Sequence, residues 1–331
     1  MEFNQIIRDL KNRVYYPIYL LNGDEEYFID EISDYIEKSV LDESEQEFNQ
    51  TVLYGLDTDV LTVESEAKRY PMMASHNVVI VKEAQHLKKI ENLANYAKNP
   101  SPTTILVLNY KHKKADGRSV LTKEVKKSGA FFTSKRLYDN QVGSWIESYL
   151  KDEGYTITPK ASLLLVEFLG TDLSKISNEL NKLMLNLPSG SAIDPKAIEE
   201  NIGISKDYNA FELNNALGER NILKANQIIL HFGNNEKAYP LPLILPTIYR
   251  FFSQLLLFHT VKNESNREIA AKIGVNPFFV KDYQAAARNY SVKKIARAIA
   301  SLRKADLLSK GVGGSLNNHE ILRELVFEIL H

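Results

Sequence analysis

The stretch PIYLLNGDEEYFIDEISDYIEKSV, residues 17 to 40, comes nearest to a reactive site. An apolar run, Ile18 to Leu21, breaks at Asn22 and Gly23, and apolar residues then recur at Phe28, Ile29, Ile32, Ile36 and Val40, which is helical spacing. A strand, a glycine turn and a helix make a phosphate cradle, because a helix N-terminus presents free amides to an anion. A working phosphate loop also carries G-x-x-x-x-G-K-[ST], with a lysine facing the polyphosphate. Here the turn carries Asp24, Glu25 and Glu26. Asp24 reads as an N-cap and the glutamates as first-turn residues favoured by the helix dipole, and all three would repel a triphosphate. The apolar strand VVIVKEA ends in Lys82 and Glu83, where an NTPase places an aspartate to hold Mg²⁺. The expectation is a nucleotide-type fold that has lost its chemistry, with no catalytic residue, no cofactor and no metal.

Other chemistry-bearing patterns are weaker. The seven histidines never pair at ligand spacing; NNHEILREL has His319 and Glu320 but Arg323 where a second zinc histidine would stand. The segment GVGGS, residues 311 to 315, lacks the lysine of a phosphate loop and reads as a connection between two helices. Residues 281 to 310 contain eight Lys and Arg against two Asp. With Ser291 as N-cap and about 100° per residue, Lys293, Arg297 and Lys304 share one face while Ile295, Ile299 and Leu302 share the other. The plain reading of that basic stripe is a solvated face, and the sharper one is contact with phosphates. The run Lys111, Lys113, Lys114 and Arg118 is a second such candidate. Asp306 falls on the apolar side of the 291–310 helix and calls for a hydrogen-bonded or ionic partner.

Strand-like segments at residues 47–54, 78–81, 104–108 and 130–133 alternate with helical ones near 58–70 and 87–97. That alternation predicts an α/β domain over residues 1–140, a mostly parallel sheet with helices on both faces. Strand signals then stop. Helical stripes over 140–150, 159–169 and 173–187, with Pro159 at a first-turn position, predict a small helical domain over 141–205. Residues 206–331 read as an all-α C-terminal domain, in which Pro246 is expected at or near a helix start.

The chain has 331 residues, 44% of them hydrophobic, enough for two or three domains. It contains no cysteine, which suits a reducing cytoplasm. The opening MEFNQIIRDLKNRVYY lacks the apolar core of a signal peptide, and the apolar runs look too short to span a membrane, so a soluble cytoplasmic protein is expected. Residues 206–331 hold 17 Lys and Arg against 11 acidic residues, a net +6 in a chain whose overall charge is −1. That asymmetry points mildly to a polyanion near the C-terminal part.

Taken in order, PIYLLNGDEEYFIDE, YPMMASHNVVIVKEA, TTILVLNYKHKKADGRS, LGTDLSKISNELNKL, KDYNAFELNNALGERN and IAAKIGVNPFFVKDYQAAARNYS resemble the delta-subunit family of bacterial DNA polymerase III clamp loaders. The resemblance implies a AAA+ layout without a working ATPase site: an α/β domain, a small helical domain and a C-terminal helical collar domain. It agrees with the missing lysine near Gly23, with Lys82 at the acidic strand, and with Ser174 where an ATP-sensing arginine would stand. Asn109 keeps a residue type of the sensor position and reads as a remnant. The family's role, so implied, is to bind and open the ring-shaped sliding clamp (beta subunit) for loading onto primed DNA, without hydrolysing ATP. The implied partners are that clamp, the gamma/tau and delta prime subunits met through the collar, and primer-template DNA, with no membrane. The family's clamp contact is a pair of large apolar residues before the strand that starts near Val78, which here falls on Met72 and Met73. Catalysis would come only from the associated polymerase, a nucleotidyltransferase. The alternatives are a divergent AAA+ ATPase and a stand-alone nucleic-acid-binding adaptor.

Overall fold

The computed structural model describes residues 1–314 and 316–331, leaving aside the side chain of Asp139; Ser315, the last residue of the glycine connection, lies outside the described residues. The chain forms two compact units, Met1–Leu137 and Tyr138–His331.

The first unit runs α1 (Phe3–Lys11), β1 (Ile18–Gly23), α2 (Glu26–Ser39), α3 (Glu43–Asn49), β2 (Gln50–Tyr54), α4 (Val60–Ala67), β3 (Asn77–Lys82), α5 (Ala94–Lys98), β4 (Thr104–Lys111), α6 (Val120–Ser128) and β5 (Ala130–Ser134). The strands form one sheet in the order β2-β3-β4-β1-β5, every pairing parallel, with Ile18 opposite Leu106 and Tyr19 opposite both Val107 and Ala130. This is a parallel sheet flanked by helices on both faces. Side chains alternate between its faces. Tyr19, Leu21, Ile80 and Val107 pack against Ile6 and Leu10 of α1 and Ile29, Ile32 and Ile36 of α2. Ile18, Leu20, Val81 and Leu108 pack on the opposite face against Val63 of α4, Ala97 of α5 and Val125 of α6. Both faces are covered, so the strand sequences read as unbroken apolar runs.

Three local expectations give way to the structure. Residues 87–97 are not one helix: two 3-10 turns, Ala84–His86 and Ile90–Leu93, precede α5, because Glu83 and Lys89 both take left-handed backbone (φ +52° and +57°) and interrupt helical winding. Residues 47–54 are not all extended, since α3 reaches Asn49 before β2 begins. The N-cap of α2 is Glu25, whose carboxylate accepts from the Tyr27 N–H, rather than Asp24.

The second unit runs α7 (Asp139–Asp152), β6 (Thr156–Ile157), α8 (Pro159–Leu169), α9 (Leu173–Asn186), β7 (Ala192–Ile193), α10 (Pro195–Ile202), α11 (Ala210–Gly218), α12 (Ile222–Asn234), α13 (Leu241–Val261), α14 (Asn266–Ile273), α15 (Val280–Asn289), α16 (Val292–Ser309) and α17 (Asn318–Leu330). Prolines 159 and 195 stand in the first turns of α8 and α10, where a missing N–H costs nothing, and Thr158 and Asp194 cap those helices. Strand signal does not vanish after residue 140 as expected: β6 and β7 pair in parallel, two residues each, too short to leave a periodicity.

Helix α13 is the axis of the large C-terminal core; Ile244, Ile248, Phe252 and Leu255 lie on its buried face with Ile295 and Leu302 of α16 and Leu325 of α17. It also corrects two expectations. Pro246 lies inside α13 rather than at its start, in the second turn behind Pro240 and Pro242. Its ring removes one helical hydrogen bond, which the buried face of the helix offsets. With 21 residues, α13 is by length and composition long and apolar enough to cross a membrane, so the apolar runs are not all too short; here it packs inside the helical unit.

Candidate functional site

At the C-terminal ends of β1, β3 and β4, where a parallel α/β sheet offers its ligand crevice, the turn after β1 is drawn shut. Gly23 stands at φ +131°, and a Cβ there would lie 2.2 Å from the Ser134 carbonyl oxygen, so only glycine lets this turn approach β5. The Gly23 N–H donates to the Lys113 carbonyl at 3.0 Å. The Glu25 N–H donates to Ser134 Oγ at 3.1 Å, so an amide that a phosphate would claim is already committed. Buried Asn22 ties the neighbouring loop down: its Nδ2 donates to the Phe132 carbonyl at 2.6 Å, and its Oδ1 accepts from the Ala115 N–H at 3.1 Å.

Lys111 enters the middle of this crevice from the end of β4. Its Nζ lies 2.7 Å from Asp30 Oδ1, 3.7 Å from Glu26 Oε2 and 4.0 Å from Glu83 Oε1, and its side chain is only 14% exposed. Burial raises the Asp30 pKa, against the opposing pull of Lys111. His112 Nδ1 stands 3.4 Å from Glu26 Oε1, and Lys114 Nζ is 3.9 Å from Asp24 Oδ2. Lys82 pairs with Glu37 at 3.0 Å; burial works against its charge, but Glu37 together with Tyr54 and Asp34 outweighs it and the pKa is raised. Of the carboxylates that would repel a triphosphate, Asp24 and Glu26 are therefore matched by cations of the same chain. The run 111–118 is thus not uniformly a free basic surface, since Lys111 is spent inside and Arg118 remains exposed beside Asp116 at 3.7 Å. Asn109 is buried and donates to Ser33 Oγ at 2.8 Å.

Met72 and Met73 occupy the segment between α4 and β3. Met72 is 57% exposed and Met73 is 103% exposed, behind Tyr70 at 85%. Met73 has left-handed backbone, φ +55°. Asn49, buried at the end of α3, grips the backbone of Met72: its Oδ1 accepts from the Met72 N–H at 2.6 Å, and its Nδ2 donates to the Met72 carbonyl at 3.0 Å and to the Glu45 carbonyl at 2.9 Å. Nothing local in the sequence marks Asn49, because its partner lies 23 residues away.

On α16, Ser291 caps the helix as expected, Ile295 and Leu302 are buried, and Lys293, Arg297 and Lys304 are exposed. Lys304 differs from the other two: its Nζ bonds Glu324 at 3.0 Å and Glu328 at 2.8 Å on α17. Asp306 has its ionic partner in Lys310, at 2.7 Å, and is about half exposed rather than buried. Among the described residues no group of three or more His, Asp or Glu side chains is arranged to hold a metal ion.

Residues 19–135 match the family described as DNA polymerase III, delta subunit, and residues 207–327 match the DNA polymerase III delta subunit, C-terminal domain. DNA polymerase III subunit delta of Bacillus subtilis (strain 168) is 28% identical over 311 residues, spanning 90% of this chain and 89% of that protein. Among solved structures, the Bacillus subtilis DNA clamp loader delta protein is similar with a TM-score of 0.57 and 25% identity, over 99% of each chain.

Proposed function

Since the chain belongs to the delta-subunit family of DNA polymerase III, we propose that it binds the sliding clamp through Met72 and Met73 and favours an opened ring, without hydrolysing ATP itself. The observation that carries the nucleotide-independent part is the Lys111 ammonium, seated among Asp30, Glu26 and Glu83 at the strand ends. A phosphate chain entering there would have to displace an internal cation and face the freed carboxylates. The contact part is supported by two adjacent, exposed and polarisable methionines, the side-chain type that fills an apolar pocket on a partner. In this reading residues 1–140 engage the clamp, 141–205 form a lid-like helical domain, and 206–331 join the gamma/tau and delta prime subunits in the collar. The protein works in the cytoplasm beside the polymerase that supplies the chemistry.

Primer-template DNA is met in the assembled loader by Lys293 and Arg297, with Lys304 contributing less because Glu324 and Glu328 neutralise it. The test of the contact is titration of the cognate clamp with wild type and with Met72→Ala/Met73→Ala, with folding checked by circular dichroism. Loss of binding in a folded variant supports the reading, and binding at wild-type strength overturns it. For the DNA contact, alanine at positions 293, 297 and 304 lowers the DNA affinity of the assembled loader and flattens its salt dependence. An unchanged affinity and slope would remove that part.

A further inference from the structure

We propose that Asn49 is the positioning residue of the methionine pair, holding the backbone at Met72 and Met73 in the conformation that enters the clamp. The proposal rests on the clamp-contact reading above. Met72 lies outside any helix or strand, yet both its backbone N–H and its carbonyl are satisfied by one side chain, Asn49, at 2.6 and 3.0 Å. That carboxamide is 1% exposed and fixed to α3 by its bond to the Glu45 carbonyl. The next residue, Met73, holds φ +55°, a conformation a long side chain keeps only where its surroundings over-determine it. Downstream the segment is tied again: Ala74 packs on the α1–α2 face of the core, and Asn77 Nδ2 donates to the Glu66 carbonyl at 2.8 Å.

An exposed apolar pair on loose chain would spend part of its binding energy on ordering that chain, and its apparent affinity would fall by the fraction of time spent in the competent conformation. With the Met72 backbone held at both its polar groups, only the two thioether side chains remain to be ordered. A residue buried beneath the contact thereby sets its strength without touching the partner.

The experiment uses the full chain with methyl-¹³C methionine and the cognate clamp. The chain has four methionines, Met1, Met72, Met73 and Met184, so the methyl spectrum is sparse. In Asn49→Ala the Met72 and Met73 signals shift and sharpen while Met184 stays in place, and clamp affinity falls about tenfold, as for a contact conformation populated a tenth of the time. Asn49→Asp keeps the shape and the bond from the Met72 N–H but loses both donated bonds, so it reads the same effect should the alanine variant fail to fold.

Unchanged Met72 and Met73 signals, or an undiminished clamp affinity in a folded Asn49 variant, would overturn the inference while leaving the contact reading intact. A double-methionine variant that binds like wild type would instead sink the contact reading itself.

Discussion

Replacing Lys111 by methionine keeps the aliphatic stem and removes the charge from the centre of an acidic cluster. The ammonium lies 2.7, 3.7 and 4.0 Å from three carboxylates. Each such pair is worth about 4–6 kcal/mol at an effective dielectric of about 20, before desolvation takes back most of it. The carboxylates of Glu26, Asp30 and Glu83 are 42%, 45% and 37% exposed, so water screens them further and the net loss comes to about 2 kcal/mol. For a unit of this size that lowers the melting temperature by about 5 °C, read by calorimetry on the full chain. The loss depends on pH. Burial already raises Asp30, and without Lys111 its folded-state pKa rises further above the unfolded value. A raised carboxyl stabilises the fold while protonated and loses that contribution as pH rises, so the variant's deficit is largest at neutral pH and shrinks toward pH 4. An unchanged melting temperature at pH 7, or a deficit that grows on acidification, would refute the claim that this cation holds the crevice together.

Two further outcomes rest on the same physics. Gly23→Ala forces a Cβ to within 2.2 Å of the Ser134 carbonyl at φ +131°, so urea unfolding gives a loss of at least about 2 kcal/mol. Glu167 on α8 has both carboxyl oxygens buried, and burial, offset in part by the Phe211 N–H and Arg250, pushes its pKa from 4.5 up to about 8. The folded state therefore holds a proton that the unfolded chain has lost, and stability falls as pH rises from about 5 to 8, by at most about 5 kcal/mol. Glu167→Gln removes that slope in urea titrations at pH 5.5 and 8.5, whereas parallel slopes in variant and wild type would contradict it.

The features legible in the sequence are the periodic ones. Ile18–Leu21, Val78–Val81 and Thr104–Leu108 are buried on both faces, and two-sided burial writes itself as an apolar run that a reader can see. The basic stripe of α16 is legible for the same reason, through a helical period anchored at Ser291. Features set by register are not. Lys111 reads as part of an outward basic run, and only the placement of β4 against β1 turns it toward Asp30. Asn49 carries no local signal because its bonds reach across 23 residues to Met72. Pro246 is misplaced by sequence reasoning because propensity argues for a helix start, while burial of Ile244, Ile248 and Phe252 decides where α13 runs.

Nucleotide-independent clamp binding through the methionine pair is tested by the affinity of the wild-type chain for its cognate sliding clamp, measured with and without ATP and Mg²⁺, beside the Met72→Ala/Met73→Ala variant. The expected result is one wild-type affinity under both conditions, no saturable ATP binding at micromolar concentration, and loss of clamp binding in the variant. Clamp binding that requires ATP, or that survives loss of both methionines, would contradict it.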